Sequence, residues 1–158
     1  MNISAQGKSY VFRTTIEKIL QLRHDVLRAG LPFETAHFDG DEDPDTWHIG
    51  SFLVDDYGNQ TGDALCCASY MLNEWEGKPA WQLRGMATKP ALQGYGLGKQ
   101  LVGAAEKLIG ASSPVHAFWC NAREPAVGFY EKQGWKIVSD VFEIPTAGPH
   151  RKMVKLFE

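Results

Sequence analysis

Apolar residues change their period several times along this chain, and each change marks an element. Ile16, Ile19, Leu20, Val26 and Leu27, with Arg23 among them, recur at helical spacing. Thr14 or Thr15 stands where a helix cap is needed, and Gly30 with Pro32 beyond it supplies the stop. A short strand from Tyr10 to Arg13 precedes this helix. From His48 to Asp55 the pattern turns to alternation, Tyr57-Gly58-Asn59 gives a turn, and Ala64 to Leu72 forms the second strand of a pair. Asn73 to Pro79 reads as a loop, and Trp81 to Thr88 as the next strand, ended by Lys89-Pro90. Leu101, Ala104, Ala105 and Leu108 then make one apolar helical stripe, which Gly110 closes. Val115 to Cys120 is an apolar run suited to a buried parallel strand. Pro125 and Gly134 bracket a short helix from Ala126 to Lys132, and Trp135 to Phe142 and Lys152 to Phe157 read as two final strands. The expected order is β-α-β-β-β-α-β-α-β-β, with an extra helical turn near residues 32–38. This is an α+β, mixed-sheet architecture with helices on both faces.

Composition adds bounds. A chain of 158 residues with 44% hydrophobic and 22% charged residues fits one domain spanning residues 1–158. A net charge of -3 argues against a nucleic-acid footprint. The three cysteines, Cys66, Cys67 and Cys120, have no metal-binding spacing and suit a reducing compartment. The adjacent pair points to opposite faces of a strand, as buried inert thiols. No run of about 18 apolar residues and no apolar signal core appear, so a cytoplasmic protein without membrane attachment is expected.

The chemistry concentrates at Gln93-Gly94-Tyr95-Gly96-Leu97-Gly98. Here glycines open a helix, whose free N–H groups and dipole favour an anion. The segment reads as a diphosphate site, or as glycines that only shape a strand-to-helix turn. Two other phosphate motifs fail. The dinucleotide fingerprint needs glycine where Lys99 stands, and the nucleotide P-loop needs glycine at Gln93 and Ser or Thr at Gln100. Asp39, Asp41 and Asp43 mimic the start of a calcium loop, but Pro44 and Gly50 replace its glycine and closing glutamate. No metal is expected. The acidic stretch is then either an exposed loop or a lid that draws in a cationic amine. Arg23 and Arg28, on the first helix, are solvated surface charges or substrate contacts.

Gln93-x-x-Gly96-x-Gly98 resembles the coenzyme A loop of the GNAT superfamily of N-acetyltransferases. Ala126-Val127-Gly128-Phe129-Tyr130-Glu131-Lys132-Gln133-Gly134-Trp135 resembles that superfamily's Ala-x-x-Phe-Tyr-x-x-x-Gly-Phe motif. Trp81 to Thr88 looks like its pantetheine-binding strand. The segment from Phe142 to His150, with its Gly-Pro-His, is similar to a bacterial subgroup whose members often lack an assigned substrate. The resemblance implies a mostly antiparallel sheet splayed at its middle. It implies acetyl-CoA as co-substrate, a small-molecule primary amine as acceptor, and leaves room for a homodimer. The pantetheine contacts would come from Met86, Ala87, Thr88, Asn121 and Phe129. The diphosphate would sit on Gln93, Gly94, Tyr95, Gly96, Leu97, Gly98 and Lys99. An N–H near Met86 would polarise the thioester carbonyl.

Tyr130 is the candidate acid in this motif, since a phenol pKa near 10 lies close to that of a departing thiol. The alternative is an aromatic residue that only packs beside Phe129. Departures from the pattern stand beside these matches. Many histone-type members carry a glutamate where this chain has Gln82, and many carry asparagine where it has Arg123. Arg84 is always protonated and cannot serve as base. His48, Glu143 and His150 are the remaining candidates for a water-relayed base. His116 reads as a core histidine, and Cys120 as a core thiol rather than a nucleophile. The resulting expectation is acetyl transfer to an amine; the alternative is a catalytically silent acyl-CoA-binding or regulatory module.

Overall fold

A computed structural model describes residues 8–156. Strand β1 (Ser9–Thr14) leads into helix α1 (Ile16–Leu27), whose Ile16, Ile19 and Leu22 face the sheet. A single 3-10 turn (Phe33–Ala36) follows, where the extra helical turn was expected. Strands β2 (Trp47–Val54), β3 (Gln60–Trp75) and β4 (Lys78–Thr88) form an antiparallel meander with β1 at its edge. Helix α2 (Leu97–Ser112), strand β5 (Ala117–Arg123) and helix α3 (Val127–Glu131) come next, then β6 (Lys136–Ile137), β7 (Phe142–Ile144) and β8 (Gly148–Leu156). The sheet runs β1-β2-β3-β4-β5-β8-β6, with β7 also on β8. Among the described residues, only β4 and β5 are parallel neighbours.

Four local expectations need correction. Asn73 to Pro79 is no loop: β3 and β4 pair up to Trp75 and Lys78, and turn through Glu76 and Gly77 at φ 51° and 78°. Both positive values define the tight hairpin turn that matches strand twist, and Glu in its first position hides the signal. Helix α2 passes through Gly110 to Ser112, because Ile109 is fully buried and Ser113 N–H still reaches the Ile109 carbonyl. Strand β5 begins at Ala117 and continues to Arg123, drawn on by its ladder with β8. The strand expected from Trp135 to Phe142 is two strands. Val138 N–H donates to the Lys152 carbonyl, but Lys152 N–H turns to Ser139 Oγ at 2.8 Å, which ends the ladder there.

The two sheet faces are covered by different helices. Leu101, Val102, Ala105 and Ile109 of α2 pack on Tyr70, Phe118, Trp135 and Met153. Ile16, Ile19 and Leu22 of α1 pack on Phe52, Ala64, Cys67 and Ala87. Cys66 and Cys67 therefore do face opposite ways. Glu106 ties α2 to the far strands, accepting from Trp135 Nε1 at 3.2 Å and Lys155 Nζ at 2.7 Å.

Candidate active site

Strands β4 and β5 pair only at Trp81–Phe118 and Gln82–Trp119, and beyond that point they diverge. The divergence leaves one edge of β4 from Leu83 onward without a strand partner among the described residues. A bulge sharpens it. Cys67 pairs with Ala87 and Ser69 with Arg84, so Gly85 and Met86 oppose the single residue Ala68. Gly85 sits at φ +65°, and a Cβ there would lie 2.7 Å from Arg23 Nε. Glycine is thus required by both conformation and space. Between the parted strands opens a cleft of about 250 Å³.

On the α2 face, Met86, Cys120, Phe129 and Tyr130 line the cleft. The glycine loop reaches it through Gly98, whose absent side chain lets Met86 Cε and Phe129 Cζ come to 3.1 Å of the Cβ position. Gly96, at φ +83°, precedes the first residue of α2, so the helix's unpaired N–H groups begin at Leu97. Gly94 is also left-handed, at φ +88°, and Tyr95 and Lys99 are exposed beside it. Gln93 is exposed, and its Nε2 donates to the Thr88 carbonyl at 3.3 Å. Ala87 is buried in the α1 core and Thr88 Oγ1 contacts Cys66 Sγ, and neither lines the cleft. Burial pushes Cys120 up to about 12, as it does Cys67, and Cys66 to about 11, so all three stay protonated thiols at neutral pH. Burial also lifts Tyr130 well above the ordinary phenol range.

The α1 face is different in kind. Gln82, Arg84, Asn121, Arg123 and His150 project there from β4, β5 and β8, and Arg28 and Phe38 close it from above. Gln82 Oε1 accepts from Asn73 Nδ2 at 2.8 Å, and Asn73 Oδ1 accepts from Trp119 Nε1 at 2.9 Å, a relay across three strands. Asn121 Oδ1 accepts from Lys152 Nζ at 3.1 Å. His150 is buried, its Nδ1 bonded to the Gly148 carbonyl at 2.7 Å. Of the three candidate bases, only His150 lines the cleft. His48 is buried away from it, bonded to Ser69 Oγ at 2.7 Å and to the Asp41 carbonyl at 2.9 Å. Glu143 is exposed on β7, while its neighbour Ile144 faces the cleft. His116 bonds the Ser113 carbonyl at 3.0 Å.

Two charge assignments are overturned. Arg23 is fully buried, not a surface charge. It forms a bidentate pair with Asp41 at 2.7 and 3.1 Å, and donates to Ser69 Oγ and the Ala36 carbonyl. Asp41 is likewise no part of an exposed lid, for it also accepts from Phe38 N–H at 2.6 Å. Asp39, Glu42, Asp43 and Asp45 remain exposed, and among the described residues no acidic one lines the cleft. Sequence reasoning missed Phe38 as a lining residue, whereas Ile144 and Ala147 belong to the segment from Glu143 to His150 that was expected near the acceptor side. It also missed the bulge, for which a glycine inside an alternating strand was the available signal.

A parted sheet with a glycine-capped helix at the gap suits an acyl-CoA-dependent acyltransferase, and the family comparison gives that class. The model of the acetyltransferase (GNAT) domain matches residues 48–137, and the chain belongs to that family. It is 33% identical over 147 residues to the uncharacterized N-acetyltransferase YitI of Bacillus subtilis (strain 168), covering 89% of this chain and 91% of that protein. Two solved structures share the fold. Escherichia coli ElaA superposes with a TM-score of 0.73 at 18% identity, covering 94% of this chain and 98% of that one. An aminoglycoside 6'-N-acetyltransferase complexed with coenzyme A gives 0.69 at 16% identity, covering 93% and 96%. Among the described residues, no cluster of three metal-ligating side chains occurs, and no helix is long and apolar enough to cross a membrane.

Proposed function

We propose that this chain moves an acetyl group from acetyl-CoA to the primary amine of a small molecule. The observation that carries this is the unpaired edge of β4 beside the Gly85–Met86 bulge, facing the start of α2 across Met86 and Phe129. The residues fit the coenzyme: an extended pantetheine arm adds to the free edge, and its diphosphate meets the N–H groups from Gly94 to Lys99. Acetyl-CoA supplies the thioester carbon that the amine attacks and the thiolate that leaves. Backbone N–H groups at the bulge polarise the carbonyl, and Asn121 and Phe129 align the arm.

Tyr130 presents a neutral phenol on the α2 face. Its raised pKa departs from the match with a thiol expected from an ordinary phenol, so its contribution is hydrogen-bond donation to the sulfur as charge develops, with the proton following late. His150, on the other face, takes the amine's proton. A neutral imidazole that donates Nδ1–H to the Gly148 carbonyl holds its lone pair on Nε2. The test is calorimetric titration of acetyl-CoA into wild type and Gly96→Asp. The variant places a carboxylate where the diphosphate belongs, at a left-handed position. We expect saturable binding that the variant loses while keeping its circular dichroism spectrum. Unchanged affinity removes the loop from the site.

A further inference from the structure

Acetyl transfer alone does not call for the charge found on the α1 face of the cleft. Arg84 on β4, Arg123 on β5 and Arg28 just after α1 each bring a guanidinium to one opening, with no carboxylate among the lining residues. The guanidiniums of Arg84 and Arg28 lie over the Phe38 ring, 4.4 and 5.3 Å from its centroid, so an aromatic platform positions them. Neighbouring acids are engaged or set back. Asp41 is closed on Arg23, Glu124 pairs with Arg151 at 3.1 Å, and Asp39 is exposed and acts on Arg84 only through space. Among the described residues, none of the three cleft arginines has a carboxylate within ion-pair distance. Burial, and then the like charge of Arg123 and Arg23, makes the charged form of Arg28 costlier; Arg84 is burdened by burial and then by Arg23. Arg28 donates to the Leu27 carbonyl at 3.1 Å, and Asp41 and Asp39 favour the charged form of Arg84 through space, but three guanidiniums without an ion-pair carboxylate around a small cleft still suit an anion with oxygen atoms in a plane or tripod.

We propose that the acceptor is a small amine that also bears a carboxylate or phosphate, held by Arg84, Arg123 and Arg28 with its amino group turned toward the bulge. This deepens the acyltransferase reading and rests on it. It also reverses the expectation that the acidic stretch from Asp39 to Asp45 selects a cationic amine. The arginines lie on the acceptor face, opposite the glycine loop at the start of α2, so they are not needed for the coenzyme's diphosphate.

The test is a panel of matched amines assayed by coenzyme A release. Amino acids are paired with their methyl esters and amides, and phosphoethanolamine with ethanolamine; diamines serve as cationic controls. Anionic members should exceed their neutral partners in kcat/KM by about tenfold or more, with the preference shrinking as salt rises. The amino-acid and phosphoethanolamine arms tell which anion is taken. Arg84→Gln and Arg123→Gln should each raise the acceptor KM by about tenfold while leaving the calorimetric Kd for acetyl-CoA unmoved, and Arg84→Lys should recover part of the loss. The wild-type panel decides even where a variant fails to fold. Equal or better turnover of the neutral partners, turnover of no anionic member, or arginine variants that lose acetyl-CoA instead of acceptor would each overturn the proposal. Failure of wild-type protein to bind acetyl-CoA would instead overturn the underlying reading.

Discussion

Asp41 illustrates how far one residue's role depends on where the chain puts it. In the sequence it is one acid among several. In the fold it answers the charge of Arg23, with both side chains fully buried. Removing one partner of such a pair strands the other charge in a low-dielectric site. Asp41→Ala should therefore lower the unfolding free energy by about 3–5 kcal/mol, measured by urea denaturation. A surface-like loss of a few tenths would show that water reaches Arg23. Tyr130 gives the second residue-scale prediction. Tyr130→Phe keeps the ring in its packing with Phe129 and Trp135, at 5.1 and 5.3 Å between centroids, and removes only the hydroxyl. Turnover should fall about 10–100-fold with little change in acetyl-CoA affinity. Because burial raises its pKa, the phenol keeps its proton as pH climbs to 9, so Tyr130 should add no alkaline limb to the wild-type rate profile below that pH. An unaltered rate in the variant, with chemistry limiting, removes Tyr130 from the mechanism.

At the scale of elements, β4 is where local pattern and function part company. Its alternation was readable from Trp81 to Thr88, and with it the candidate pantetheine strand. The bulge was not, because a two-residue period carries no mark of the place where one residue is inserted. Gly85 was the trace it left. Gly85→Ala sets a methyl against Arg23 Nε and demands a left-handed backbone of an L side chain. The variant should lose about 1–3 kcal/mol of stability, read as a lower urea midpoint, and lose more activity than that loss explains, since the polarising N–H groups shift. A stable variant with full turnover would mean the bulge only shapes the strand. The start of α2 at the glycine loop and the short helix α3 were legible for the opposite reason: their local structure is set by contiguous residues. The hairpin at Glu76-Gly77 and the break between β6 and β7 depend on partners far along the chain, such as Lys152 for Ser139.

For the whole molecule, net charge misleads about the site. The chain carries -3 overall, with 19 acidic and 16 basic residues, yet the cleft collects arginines and, among the described residues, no carboxylate. A run of acids in the sequence suggested attraction for cations; the fold spends its central acid on Arg23 and leaves the others outside the cleft. Arg28, Arg84 and Arg123 are far apart in the chain, and only the sheet order and the placement of α1 make them neighbours. The order of elements and the helices on both faces were readable because amphipathic periods report burial directly. Convergence of side chains from three elements has no such periodic signature.

The two-pair junction of β4 and β5 also bears on how the protein survives in a cell. It is a narrow seam in the middle of the sheet, and the proposed substrate arm would lie just beyond it, where the two strands part. A ligand that binds there and not to the unfolded chain stabilises the fold by mass action, by about 2.7 kcal/mol at one hundred times its Kd. That is a large part of a typical domain's margin. Scarcity of the coenzyme would then do more than slow the reaction: it would shorten the lifetime of the catalyst itself, so that abundance of the protein follows supply of its substrate without any separate regulator.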